Sequence, residues 1–263
     1  VLVGVTPWKF ESSPGHHSLL CSILGCGEWQ QKIGPTAGPA ELIRQTNPPN
    51  QFAKMGQHQT MANHLHKGDL PDGLSFGSMV AVDSETMGLD PHRDRLCLIQ
   101  LSGGDGDCHL VQFAKGVYQA PNLCAMLADP GVTKLFHYAR FDVAMIKRYL
   151  GIDCTPIYCT KIASKLVRTY TDRHGLKDLC RELLGVDLSK QQQSSDWGAS
   201  DLSSQQLDYA ANDVLHLHRL HGVLQDMLAR EGRGHLAQAS FDYLPTRAEL
   251  DLAGWSETDI FSH

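Results

Sequence analysis

Met79-Val80-Ala81-Val82-Asp83-Ser84-Glu85-Thr86 decides how the rest of the chain is read. Four apolar residues, two of them β-branched, run directly into two carboxylates spaced two apart. Such an apolar run reads as a buried strand. Residues two apart on a strand project to the same side. Asp83 and Glu85 should therefore leave the end of a central strand together, where they repel unless a proton or a cation sits between them. A divalent metal resolves that repulsion. Solvated acids at an ordinary strand end would give the same stretch. Gly88 and Pro91 end the strand in a turn.

Working outward, two more strands are predicted over 95–101 and 108–113, joined by the turn-rich Gly103-Gly104-Asp105-Gly106. Short turns between successive strands imply an antiparallel meander. A helix over 120–128, a strand over 133–137 and a helix over 140–150 follow. An extended piece near 154–158 leads into helices over 160–168 and 176–184. Ser203-Ser204-Gln205-Gln206 has the form of a capping box and fixes the start of a long helix over 204–230. Its buried stripe is Leu207, Ala210, Val214, Leu217 and Leu224. This order predicts an α/β fold, a mixed sheet covered by helices. The segment from Phe241 leaves room for one closing helix and a tail.

The composition is that of an ordinary soluble globular protein. No apolar run is long enough to span a membrane, and no basic segment precedes an apolar core at the start. Eight cysteines without a C-x-x-C pair are expected to be mostly buried, reduced thiols, with a cytoplasmic location as the default. Residues 1–60 are rich in Gly, Pro, Gln, Ser and Asn, and Pro35, Pro39, Pro48 and Pro49 break any long helix. They are expected to form a loosely structured extension before a domain over 61–263. His16-His17 with Cys21 and Cys26 fits no standard zinc pattern. The net charge is −6, whereas a broad duplex-binding surface is normally basic. Between 134 and 181, ten Lys and Arg stand against four Asp. Such a patch can guide a polyanion, although solvated helix faces account for it equally well.

Two further acidic positions stand out. Asp142, in Phe141-Asp142, falls in the first turn of the helix after the fourth strand, where the helix dipole favours an acid in any protein. Tyr209 and Asp213 are four apart and share one helix face. His216, His218 and His221 in the next turns read as helix-face polar residues.

In order, D-x-E, F-D and Y-x-x-x-D resemble the tyrosine-bearing branch of the DEDD superfamily of 3′-5′ exonucleases. More narrowly, the chain resembles ribonuclease D. Gln193-Ser194-Ser195-Asp196-Trp197 is similar to that family's Q-x-S-D-W run. His174-Gly175-Leu176-Lys177-Asp178-Leu179 and Leu183-Leu184-Gly185 resemble the helix before it. The resemblance covers residues 64–263. It implies a ribonuclease-H-like fold: three antiparallel strands plus parallel strands, flanked by helices. Family members often carry Asn where this chain has Tyr138. The chain stops about fifty residues after Asp213, short of the C-terminal helical domains of longer members, so a compact catalytic domain is expected.

Phosphodiester hydrolysis needs a water-derived nucleophile and charge neutralisation at phosphorus. Two divalent ions about 3.5–4 Å apart can supply both, and carboxylates suit Mg²⁺ or Mn²⁺. The resemblance implies that Asp83 bridges both ions, that Glu85 and Asp213 complete the site of the nucleophile-activating ion, and that Asp142 holds the second largely through water. It implies that Tyr209 positions the attacking water. The expected substrate is a single-stranded RNA 3′ end, as in the processing of tRNA or other structured RNA. Thr86, Leu89, His137, Phe141 and Trp197 are the candidate contacts. Trp197 reads equally as a core anchor. A single-stranded DNA 3′ exonuclease of proofreading or repair type is the runner-up. A catalytically silent nucleic-acid-binding scaffold is the third reading, and it should have lost some of the four acids.

Overall fold

The computed structural model describes residues 62–188 and 195–263. The proposed N-terminal extension, with His16, His17, Cys21 and Cys26, lies outside the described residues, as do Gln193 and Ser194. Six strands form one sheet: β1 (Asn63–Lys67), β2 (Met79–Thr86), β3 (Leu96–Ser102), β4 (Cys108–Gln112), β5 (Thr133–Phe136) and β6 (Ile157–Cys159). Their order is β1-β4-β3-β2-β5-β6. The expected meander is β2-β3-β4, antiparallel throughout. β5 joins β2 in parallel and β6 joins β5 in parallel. This mixed sheet, flanked by helices, is the ribonuclease-H-like arrangement.

Every residue of β3 is buried. A strand covered on both faces reads as a continuous apolar run rather than an alternating one. The helices are α1 (Pro121–Ala128), α2 (Ala139–Leu150), α3 (Thr160–Val167), α4 (Leu176–Leu179, widening into a π turn over Cys180–Leu184), α5 (Ser204–Leu215), α6 (Leu217–Arg230), α7 (Gly234–Asp242) and α8 (Leu244–Leu252). None is long and apolar enough to cross a membrane. The six cysteines among the described residues are all free thiols, and five of them are buried.

Three features depart from the sequence reading. β1 was not predicted: Asn63-His64-Leu65-His66-Lys67 is a mostly exposed edge strand, too polar to show a strand pattern. It pairs in parallel with β4 and also holds α5, through Asn63 Nδ2 donating to Asp208 Oδ1 at 2.7 Å. The long helix over 204–230 is two helices that part at His216 (φ −103°, ψ −7°). The break lets α5 pack across β2, β3 and β4 while α6 packs along α3. Finally, an unpredicted helix, α7 over Gly234–Asp242, precedes the closing helix expected after Phe241, which is α8. That closing helix packs on α2, and its Asp251 accepts from Arg140 Nε at 2.6 Å and Nη2 at 2.7 Å.

The capping box at the start of α5 is present: Ser203 Oγ accepts from the Gln206 backbone N–H at 3.3 Å, and Gln206 Oε1 accepts from the Ser203 N–H at 3.0 Å. Because α5 carries Tyr209 and Asp213, this cap sets the rotation of two site residues. Ser203→Ala should lower unfolding stability by about 1 kcal/mol, read as a fall in the urea midpoint at unchanged slope. An unchanged midpoint would show that packing on the sheet alone holds the helix.

Candidate active site

β2 delivers Asp83 and Glu85 to one side of the sheet, and α5 brings Asp213 to meet them. One ligand oxygen from each lies within 4.8 Å of the other two. Asp142 is held at the residue between the two acids, where Ser84 Oγ donates to Asp142 Oδ1 at 2.6 Å, and its charge is felt by both Asp83 and Glu85. Asp142 thus reaches the same strand end from the start of α2 without entering the three-carboxylate group. A bulge in the β2–β3 register falls between Glu85 and Thr86, immediately past the acids. It is a common device for re-aiming side chains beside a site.

The electrostatics are those of a site short of positive charge. Burial, then Asp142, Asp213 and Glu85, push the Asp83 carboxyl well above the ordinary carboxylate range. Burial and the charges of Asp213 and Asp142 push Glu85 up to about 9. Burial raises Asp142 to about 7 against the opposing Ser84 hydrogen bond. Asp213 also rises to about 7, again through burial, while a hydrogen bond from Tyr209 pulls the other way. Burial and the neighbouring carboxylates raise the Tyr209 phenol as well. It therefore stays protonated at neutral pH and acts as a hydrogen-bond donor. Clustered oxygen donors that resist ionisation for want of a counter-charge fit a hard divalent cation such as Mg²⁺ or Mn²⁺.

The candidate substrate residues separate into different settings. Leu89 is 84% exposed on the loop after β2. Thr86 Oγ1 turns back on the Gly88 carbonyl. Phe141 is half-buried against the core. His137 pairs through Nδ1 with Thr160 Oγ1 at 2.9 Å, and burial lowers it to about 3, so the ring is neutral. Trp197 is only 3% exposed, with its ring centroid 6.1 Å from that of Tyr209. In this position it anchors Tyr209 and has no free face for a base. His218 hydrogen-bonds the Met79 carbonyl and His221 meets the Tyr158 ring edge-on, in keeping with packing roles.

The basic stretch over 134–181 is thinner on the surface than in the sequence. Lys134 and Arg168 are fully buried, the first on the Asp129 and Thr155 carbonyls and the second against Glu182. Arg140 pairs with Asp251, and Lys147 with Asp153 and Glu249.

Two site residues escaped the sequence reading. One is Ser84, which lay unremarked between the two acids. The other is Gln100, fully buried in β3 opposite Asp83 in register, with Nε2 donating to Asp83 Oδ2 at 3.3 Å. A lone amide within Leu96-Cys97-Leu98-Ile99-Gln100-Leu101 was the available signal, because a buried polar group needs a partner.

A 3′-5′ exonuclease family model matches residues 60–229. Ribonuclease D of Gluconacetobacter diazotrophicus is 36% identical over 154 residues, 59% of this chain and 39% of that protein. The chain thus spans about two-fifths of the length of that curated relative. The structure of Brucella melitensis NrnC bound to pGG shares 54% identity and a TM-score of 0.75, covering 78% of this chain and 100% of that one. The same Brucella protein with bound Mg²⁺ shares 53% identity and a TM-score of 0.74, covering 77% and 100%. Escherichia coli RNase D, an exoribonuclease involved in structured RNA processing, shares 25% identity and a TM-score of 0.58, covering 66% and 45%. The match takes in the strand of Asp83 and Glu85, the helix of Asp142 and the helix of Tyr209 and Asp213, and the chain belongs to the 3′-5′ exonuclease family.

Proposed function

We propose that this chain is a metal-dependent 3′-5′ exoribonuclease that hydrolyses phosphodiester bonds from single-stranded RNA 3′ ends and releases nucleoside 5′-monophosphates. The observation that carries this reading is the convergence of Asp83, Glu85 and Asp213 within 4.8 Å. The Mg²⁺ bound by the Brucella relative supports a divalent ion here. Asp83, Glu85 and Asp213 would hold a first ion, and Asp142 with Asp83 a second. Such ions supply a water-derived nucleophile and neutralise charge at phosphorus. The protein's own part is orientation. The Tyr209 hydroxyl donates to Asp213 and remains a neutral phenol beside the carboxylates, suited to directing a water rather than deprotonating it. Gln100 steadies Asp83, and Ser84 steadies Asp142.

As to substrate, the pGG-bound relative is matched along its whole length and at higher identity than ribonuclease D. That favours short single strands over tRNA and other structured RNA. Free, buried thiols suit a cytoplasmic location. The test is initial rates on matched RNA and DNA strands, with free and blocked 3′ ends, in Mg²⁺, Mn²⁺ or EDTA. Release should require a free 3′ end and a divalent ion. A single hydrogen bond to a terminal 2′-OH contributes roughly 0.5–1.5 kcal/mol, so RNA should be preferred by about tenfold or less. Equal or faster release from DNA would replace the ribonuclease assignment with the DNA 3′-exonuclease one. Binding without release under every metal condition would leave the scaffold reading.

A further inference from the structure

Tyr138 is the one non-glycine residue with positive φ among the described residues, at φ 70° and ψ 42°. A bulky side chain in the left-handed region is a true outlier, and such strain gathers at ligand-binding positions. Here the strain secures no burial, for Tyr138 is 48% exposed. Asn or Gly would hold the same backbone with less strain. What the tyrosine adds is an aromatic ring on the surface, at the cap of α2, the helix whose first turn carries Asp142.

The ring has a cationic neighbour. Lys161 Nζ lies 4.0 Å from its centroid. Lys161 belongs to the first turn of α3, next to Thr160, the partner of His137. The starts of α2 and α3 are therefore tied together through His137 and Thr160, and the residue after each presents a ring and an ammonium to the same rim. Partial burial and the charge of Lys165 both work against the Lys161 ammonium, so an incoming anion would relieve it. Unlike Arg140 and Lys147, which pair with Asp251, Asp153 and Glu249, Lys161 lies against an aromatic face.

We propose that Tyr138 and Lys161 form a nucleotide-binding rim beside the acidic site, the exposed ring surface stacking on a base and the Lys161 ammonium meeting a phosphate of the same strand. The proposal rests on the exonuclease reading and adds to it two residues that set affinity for single strands. Every base offers a π-face, so this rim is tolerant of base identity. Lys161, covering part of the ring, places the base on the remaining surface.

The experiment compares wild type with Tyr138→Asn, Tyr138→Phe and Lys161→Gln. It measures KM and kcat on a short single-stranded RNA, equilibrium binding of that RNA in EDTA, and thermal melting. Tyr138→Asn should raise both KM and the dissociation constant by about tenfold, with kcat changed by less than about twofold, and should not lower the melting temperature, because Asn accepts the backbone conformation. A merely structural tyrosine would give the opposite melting result. Tyr138→Phe, which keeps the ring, should recover the affinity lost in Tyr138→Asn. Lys161→Gln should reduce the slope of log affinity against log salt by about 0.7, the value for one phosphate contact on a single strand. A dissociation constant for Tyr138→Asn within about twofold of wild type, or an unaltered salt slope for Lys161→Gln, overturns the proposal. Because binding is read in EDTA, this result is separate from the exonuclease reading, which fails instead if wild type binds RNA and releases nothing with Mg²⁺.

Discussion

Asp83→Asn should abolish nucleotide release while the protein stays folded. Asp83 is the acid whose carboxyl is pressed by all three of the others, Asp142, Asp213 and Glu85, and it is the one placed to serve both proposed ions. Losing about 4 kcal/mol of transition-state charge stabilisation corresponds to roughly a thousandfold in rate, and a loss of that size or greater is expected. Stability should move the other way. In the absence of metal, Asn removes a charge that burial and three neighbours oppose, so the metal-free melting temperature should hold or rise. Turnover and melting measured on the same preparation decide the matter. A folded Asp83→Asn protein with near-normal turnover would remove the assigned site.

The second large effect is on stability as a function of pH. Glu85 is raised to about 9 and Asp142 and Asp213 to about 7, with Asp83 raised alongside them. Each therefore binds its proton more tightly in the folded chain than in the unfolded one, where carboxyls titrate near 4. Between those limits the unfolded state releases protons that the folded state retains, so rising pH favours unfolding. The metal-free protein should lose stability progressively from about pH 6.5 to about pH 9, above the range in which the histidines titrate. A tenfold change in proton affinity is about 1.4 kcal/mol, and each kcal/mol shifts the melting of a domain of this size by about 2–4 °C. Excess Mg²⁺, binding only the folded state, should restore the loss, and should raise the melting temperature more at pH 9 than at pH 5. Below about pH 6.5 the buried histidines, with His137 lowered to about 3 by burial, and Asp251, held down by Arg140 and Arg247 against its own burial, act with the opposite sign. A melting temperature flat from about pH 6.5 to about pH 9 without metal, and indifferent to Mg²⁺, would contradict the electrostatic account.

Much of this site was legible because its chemistry imposes local patterns. An apolar strand ending in D-x-E has few ways to fold, and the placement of Asp83 and Glu85 on one side follows from the twofold period of a strand. The capping box located the start of α5, and with it the face shared by Tyr209 and Asp213. Other features have no local signature. His216 is neither Gly nor Pro, and the apolar stripe runs through the break without interruption, so the division of α5 from α6 is set by the two surfaces they pack on. β1 is polar because it lies at an edge, and the pattern that would reveal a strand is absent there. The burial of Trp197 against Tyr209 depends on a loop closing over a helix, and spacing alone cannot distinguish that from a stacking platform. The basic stretch misled for a related reason: charge counted along a chain ignores which cations the fold takes inside.

The link between α8 and α2 bears on the order in which the protein can be made. Arg140 and Asp251 are 111 residues apart in sequence yet paired in space, and Asp213 must likewise travel back to the end of β2. A chain emerging from the ribosome exposes Asp83, Glu85 and Asp142 early, without the helix that supplies the last carboxylate and without the helix that braces α2. Long-range pairings of this kind form late, since loop closure precedes the contacts that compensate for it. The nascent chain, which is synthesised alongside RNA, thus carries an incomplete acidic site until α5 has folded back onto the sheet and α8 onto α2.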